Sequence, residues 1–288
     1  MRIRPFTLLL LSVLTGSTVL SAQSVRALED GRFEVTSGEN TLVIDAGHGG
    51  KVLSFKHLEQ EVISQMRWPN AFGSTFWTSP QAEWNWPPVP EYDSMPYTVD
   101  SQEGTLVLTG PVSEKYGYRI RKEFAPDPED GAVVVTYSIV NESGAERKVA
   151  PWEITRVPNG GVIFFDADPE TVTPAGLMPV RAADGAAWID VDVANENRKV
   201  NADGKGWFAF SDNGLVLVKR FQDLEAGEPA PGEAEIQVYI NGRKTFVELE
   251  CQGPYTVLQP GEAFRWSVRW YLIPRGEDLM ETVRPFVQ

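Results

Sequence analysis

Two glutamates two residues apart carry the first chemical suggestion in this chain. Charged and apolar residues alternate in Phe246-Val247-Glu248-Leu249-Glu250-Cys251, which is the period of a strand. On a strand Glu248 and Glu250 share one face, about 7 Å apart at Cα, while Val247, Leu249 and Cys251 share the other. With the apolar set facing a core, both carboxylates look outward or into a cleft. A pair so placed can serve general acid–base chemistry, and glycoside hydrolysis uses carboxyl separations of about 5–9.5 Å. The plainer reading is a solvated strand face in an acidic protein.

Aromatic residues supply the second suggestion. Residues 67–97 hold four of the nine tryptophans, Trp68, Trp77, Trp84 and Trp86, together with six prolines. Proline does not sit in a central strand, so the segment reads as a rigid irregular loop or sheet edge. Long structured loops rich in aromatics are often binding elements. Flat tryptophan rings pack against the C–H faces of sugars, which makes Trp77, Trp84 and Trp86 candidate substrate-binding residues. The competing reading packs them over one end of the fold as satellite core.

The elements that must position these residues are nearly all strands. Short β-rich runs recur at Thr41–Ile44, Thr105–Leu108, Tyr118–Phe124, Ala132–Val140, Gly161–Phe165, Trp207–Phe210, Leu215–Phe221, Ala234–Ile240, Thr245–Leu249 and Phe264–Leu272. Asp127-Pro128-Glu129-Asp130-Gly131, Asn141-Glu142-Ser143-Gly144 and Asn241-Gly242 read as hairpin turns between them. Only Glu277–Val283 has the look of a helix. So many strands at regular spacing predict an all-β protein, a large antiparallel sandwich or barrel. No repeat or linker divides residues 23–288, which read as a single domain.

Composition narrows the function classes. Lys and Arg number 26 against 40 Asp and Glu, a net charge of −14. With no basic run, nucleic acid is not an expected partner. The lone cysteine, Cys251, excludes an internal disulfide and any CxxC motif. His48 and His57 are the only histidines, leaving little room for a metal site; neither metal nor another cofactor is expected. Arg2 and Arg4 precede the apolar run Phe6–Leu14 and small residues ending at Ala22, the pattern of a cleavable export signal. The mature chain is therefore expected to start at Gln23 and to be periplasmic or secreted without a stable membrane anchor.

Several motifs, in order along the chain, resemble the galactose mutarotase-like (aldose 1-epimerase-like) superfamily, and within it an uncharacterised branch of exported bacterial domains. They are Gly49-Gly50-Lys51-Val52-Leu53-Ser54-Phe55, Phe76-Trp77-Thr78-Ser79-Pro80-Gln81 and Ala150-Pro151-Trp152-Glu153-Ile154-Thr155. Gly206-Trp207-Phe208-Ala209, Val218-Lys219-Arg220-Phe221 and the ending Leu249-Glu250-Cys251-Gln252, Pro260-Gly261-Glu262, Trp266-Ser267-Val268-Arg269-Trp270 complete the set. The resemblance implies a β-supersandwich with a concave sugar-binding face, and places Glu250 where the family's catalytic base stands.

The family's acid is a histidine on a mid-chain strand, and this chain departs there. The nearest segment, Ala150–Val157, carries Trp152, Glu153 and Arg156 but no histidine. His48 lies in a glycine-rich turn and His57 after the next strand. Glu153 could replace the acid if burial raised its pKa, with Glu248 the third catalytic candidate beside Glu250. Trp152, Arg156 and Lys219 join the substrate-binding candidates, the two cations as partners for an acidic sugar. Strand alternation sets Trp152 and Arg156 on one face and Glu153 on the other, so all three cannot line one site. The expected function is an exported carbohydrate-active protein acting in a concave cleft, an epimerase-like enzyme before a hydrolase or lyase. The alternatives are a non-catalytic carbohydrate-binding domain and a structural protein with no small ligand.

Overall fold

Alternation of apolar and polar side chains is realised as two large antiparallel sheets in the computed structural model, which describes residues 23–69, 71–102, 104–191, 196–243 and 245–288. The expected export signal, residues 1–22, lies outside the described residues. One sheet has 11 strands and the other 10. Their inner faces make one apolar core that includes Val35, Phe55, Phe76, Phe124, Val135, Phe210, Leu249 and Val268. This is the all-β antiparallel sandwich that the strand spacing predicts.

The last strand, Ala263–Pro274, shows how sequence selects side. Trp266, Val268, Trp270 and Leu272 enter the core, while Arg265 and Ser267 stay exposed. Val133–Asn141 and Leu215–Arg220 flank it in the 10-stranded sheet. On that sheet's outer face, Val216, Val218 and Tyr271 form a second apolar cluster beneath the C-terminal helix, which buries Leu279 and Val283. The helix spans Leu279–Val287, two residues later than its periodicity suggests, because Asp278 caps it by accepting a hydrogen bond from the backbone N–H of Glu281. Asp278-x-x-Glu281 is a visible cap signal in the sequence. No helix among the described residues is long and apolar enough to cross a membrane.

The tryptophan-rich segment corrects one expectation. Ser74–Ser79, containing Trp77, is a strand in the interior of the larger sheet, between Lys51–His57 and Arg147–Val157. It is free of proline; the crowded prolines begin at Pro80, beyond its end. From there the chain does become irregular, with a short turn at Gln81–Glu83 and a one-turn helix at Pro90–Asp93. The proline rule therefore holds residue by residue and fails when averaged over the whole segment.

Candidate functional site

Five neighbouring strands of the larger sheet floor the site, in spatial order Ser74–Ser79, Arg147–Val157, Val247–Gln252, Ile236–Ile240 and Arg198–Ala202. Register sets Trp77 opposite Trp152, Arg156 opposite Glu248, Glu248 opposite Tyr239, and Tyr239 opposite Lys199. Directly paired residues point to the same side. The alternate residues Phe76, Leu249, Cys251 and Val238 belong to the core, so this polar and aromatic row is turned away from the second sheet. The side chains surround a cavity of about 320 Å³ lined by Trp77, Trp86, Trp152, Lys199, Glu248 and Glu250, with Gln81, Tyr239, Asn241, Phe246 and Ala71 completing the wall.

Glu250 is the most constrained acid in it. Its side chain is only 1% exposed. Trp152 Nε1 donates to its Oε2 at 2.8 Å and Lys199 Nζ donates to the same oxygen at 2.9 Å. Both donors converge on one oxygen, leaving Oε1 without a hydrogen-bond partner among the described residues. Burial pushes the Glu250 carboxyl above its ordinary range; Lys199 opposes that shift and Glu248 reinforces it. For Lys199 burial acts to lower the ammonium, but the Glu250 charge and hydrogen bond, with the Glu233 and Glu248 charges, outweigh it and the net direction is upward.

Glu248 is held differently. Arg156 Nη2 approaches its Oε1 at 2.7 Å, a close charge contact. The guanidinium is 1% exposed and lies over the faces of Trp77 and Phe246, 5.7 and 5.6 Å from their centroids. Arg156 is thus brought to the site from beneath, through Glu248, and does not itself line the cavity.

The tryptophans divide in the same way. Trp86 is the exposed rim at 56%, edge-on to Trp77 at 6.1 Å. Trp77 and Trp152 form the wall, at 5.3 Å from each other. Trp84 is buried behind them, its Nε1 donating to the Thr78 carbonyl and its ring against Trp77. It supports the wall and is absent from the lining.

Two of the expected site residues are placed elsewhere. Glu153 and Lys219 are fully buried on the inner side of the sheet, where they pair with each other beside Thr155 and Ser74. Lys219 lies over the Trp270 ring, between the sheets. Neither reaches the cavity, so the structure offers Glu153 no catalytic position and Lys219 no sugar. Strand alternation is the reason: Glu153 faces opposite to Trp152. The histidines are also remote. His48 Nδ1 meets the Asp45 carboxylate and His57 Nδ1 meets Asn40 Oδ1, and neither lines the cavity. Among the described residues no group of three or more His, Cys, Asp or Glu could hold a metal ion.

Several residues of the site lie beyond what the sequence reading found. Lys199, Tyr239 and Asn241 arrive by strand register from distant segments. Gln252 accepts from Ser79 Oγ and donates to Gln237 and Glu233, and Gln237 donates to Asn201, forming an amide floor beside Glu250. Gln252 ends the quoted Leu-Glu-x-Gln motif and was the one visible signal. Asp93 is buried on its one-turn helix and accepts from Trp77 Nε1 at 2.9 Å and Thr75 Oγ1 at 3.1 Å, with the Lys51 ammonium against it. It fixes the indole plane of the cavity wall from outside.

No family model matches the chain and no curated protein matches it in sequence. Solved structures do match in shape. A Synechocystis protein superposes with a TM-score of 0.60 at 12% identity, covering 88% of this chain and 99% of its own. A candidate aldose 1-epimerase from Escherichia coli gives 0.59 at 12% identity, covering 85% and 99%. A galactose mutarotase-like protein from Lactobacillus casei gives 0.59 at 11% identity, covering 84% and 100%. At such identities the likeness is one of fold, and the fold is that of the galactose mutarotase-like proteins.

Proposed function

We propose that the cavity takes an aldose, and that Glu250 is the base that removes the anomeric hydroxyl proton to interconvert the two anomers. The observation that supports it best is an oriented, buried carboxylate, tied through Oε2 alone, on the wall of a tryptophan-lined cavity. A volume of about 320 Å³ lies at the small end of ligand pockets, about 300–1,000 Å³, which suits one or two sugar rings. Ring opening needs a base whose pKa lies nearer neutrality than a free carboxylate's, and burial moves Glu250 in that direction. The named neighbours from Escherichia coli and Lactobacillus casei carry epimerase or mutarotase descriptions on the same fold, which supports a sugar as ligand. The order of charge, apolar run and small residues over 1–22 supports export.

The Lys199–Glu250 ion pair also favours a second reading, binding of sugar without turnover, because a paired carboxylate is a weaker base. One experiment separates the two. Freshly dissolved α-D-glucose and α-D-galactose are followed by polarimetry or proton NMR with wild type and Glu250→Gln. Catalysis predicts that the variant loses about 10²–10⁴-fold in rate while sugar affinity is nearly retained. Sugar binding with no acceleration by wild type would leave a binding domain; no binding at all would overturn both readings.

A further inference from the structure

We propose that Lys199 is the proton donor to the ring oxygen in this reaction, the acid partner of Glu250. The proposal rests on the reading of Glu250 as base. Once Oε1 of Glu250 faces the anomeric hydroxyl, the ring oxygen must find a proton from another group on the wall. The side chains there leave few choices. Gln81 and Asn241 are amides and do not exchange a proton as acids at neutral pH. Glu248 is already engaged by the Arg156 guanidinium, whose Nη2 lies 2.7 Å from its Oε1. The indoles donate hydrogen bonds without releasing protons. Lys199 and Tyr239 remain, and Lys199 is the nearer to the base, with Nζ 2.9 Å from Glu250 Oε2. Its side chain is 33% exposed against 1% for Glu250, so the ammonium sits on the open side of the carboxylate. It also lies 4.9 Å over the Trp152 ring, against which a sugar would stack.

The step balances. Glu250 Oε1 takes the proton of O1–H and the O–H electron pair becomes the second bond of the C1 carbonyl. The C1–O5 bond breaks with its pair moving to O5, which takes a proton from Lys199 Nζ. The products are a neutral carboxyl, a neutral amine and the open-chain aldehyde. Rotation about C1–C2 and the same step in reverse close the ring on the other face. The pair is also self-timing. The charge that holds Lys199 protonated belongs chiefly to Glu250, and burial works the other way. When Glu250 takes the sugar's proton, its charge vanishes and burial is opposed only by the Glu233 and Glu248 charges, making the ammonium a stronger acid as O5 needs it.

The test separates a proton donor from a mere countercharge. Lys199→Arg keeps a cation beside Oε2 but one that does not give up its proton. Lys199→Met removes both charge and donor, and Tyr239→Phe removes the competing hydroxyl. Rates of α-D-glucose and α-D-galactose interconversion are measured across pH, with sugar affinity by calorimetry. The proposal expects Lys199→Arg and Lys199→Met to lose about 10²-fold or more in kcat, with KM changed by less than about threefold, and expects the kcat loss in Tyr239→Phe to be at least about tenfold smaller than in either. Aminoethylation of Lys199→Cys, which rebuilds an amine of similar length, should restore turnover. Retention of wild-type kcat by Lys199→Arg would reduce the lysine to a countercharge and overturn the proposal while leaving Glu250 as base. Loss confined to Tyr239→Phe would move the acid to that residue. A wild type that accelerates neither sugar would remove the base reading and this proposal together.

Discussion

Removing Lys219 is expected to destabilise the protein severely, and removing Glu153 along with it is expected to restore most of the loss. The two side chains are fully buried and in direct contact between the sheets. Lys219→Met leaves the Glu153 carboxylate in the core with only the Thr155 and Ser74 hydroxyls to solvate it. Breaking a buried pair on one side costs about 3–5 kcal/mol, whereas replacing both partners by apolar residues of similar volume is often neutral or better. For a domain of about 150–250 residues each kcal/mol moves Tm by about 2–4 °C, so the single variant should melt about 6–20 °C below wild type. In Lys219→Met/Glu153→Met the Ser74 and Thr155 hydroxyls still bond each other at 2.8 Å, so no uncompensated charge remains and the double variant should lie well above either single one. Equilibrium urea unfolding of the four proteins in a double-mutant cycle measures the coupling directly. A Lys219→Met protein within about 1 kcal/mol of wild type, or a double variant as unstable as the sum of the singles, would refute the assignment of this pair to structure. Because the pair faces away from the cavity, the double variant should have the same sugar affinity, measured by calorimetry, as wild type.

Two further outcomes are expected. Trp86→Ala, at the exposed rim, should leave unfolding within about 0.5 kcal/mol of wild type yet weaken sugar binding by about 1 kcal/mol or more, the scale of one lost stacking platform; calorimetry with an unchanged Kd would contradict the rim assignment. Burial and the nearby Lys51 charge bring Lys122 down to about 7, so above that pH the unfolded chain binds a proton that the folded chain has shed, and this group's contribution to stability rises with pH up to the ordinary lysine range near 10. Wild type should therefore gain on Lys122→Met by up to about 1.4 kcal/mol per pH unit between pH 7 and 9.5; parallel stability–pH curves for the two proteins would exclude it.

The face of the site was legible where a single strand decides it. Spacing alone set Glu248 and Glu250 together, and alternation alone separated Trp152 from Glu153; both relations hold in the cavity and the core. All ten strands read from the sequence are present, each with one or both ends shifted by one to four residues. What could not be read was anything that depends on register between distant strands. Lys199 reaches Glu250 only because Arg198–Ala202 pairs with Ile236–Ile240, which pairs in turn with Val247–Gln252. Residue type also misled. Charged side chains such as Glu153 and Lys219 suggest chemistry on paper, but two opposite charges on facing inner surfaces of a sandwich satisfy each other without any ligand. Trp84 shows the same limit from the apolar side, as a large aromatic one layer behind those that meet the cavity.

The bond from Trp77 Nε1 to Asp93 joins the cavity wall to a segment that folds outside the sheet. Wall and segment consequently share one free energy. A ligand that leans on Trp77 favours the indole orientation that Asp93 accepts, and so favours the docked state of the Pro90–Asp93 turn over its locally opened one. Conversely, whatever loosens that turn frees the indole to rotate and makes the wall less ready for a ligand, a loss of affinity with no change in any residue the ligand would touch. Amide hydrogens of Tyr92, Asp93 and Ser94, which close the turn onto Val89 and Pro90, are therefore reporters of occupancy in a cavity whose lining includes none of them.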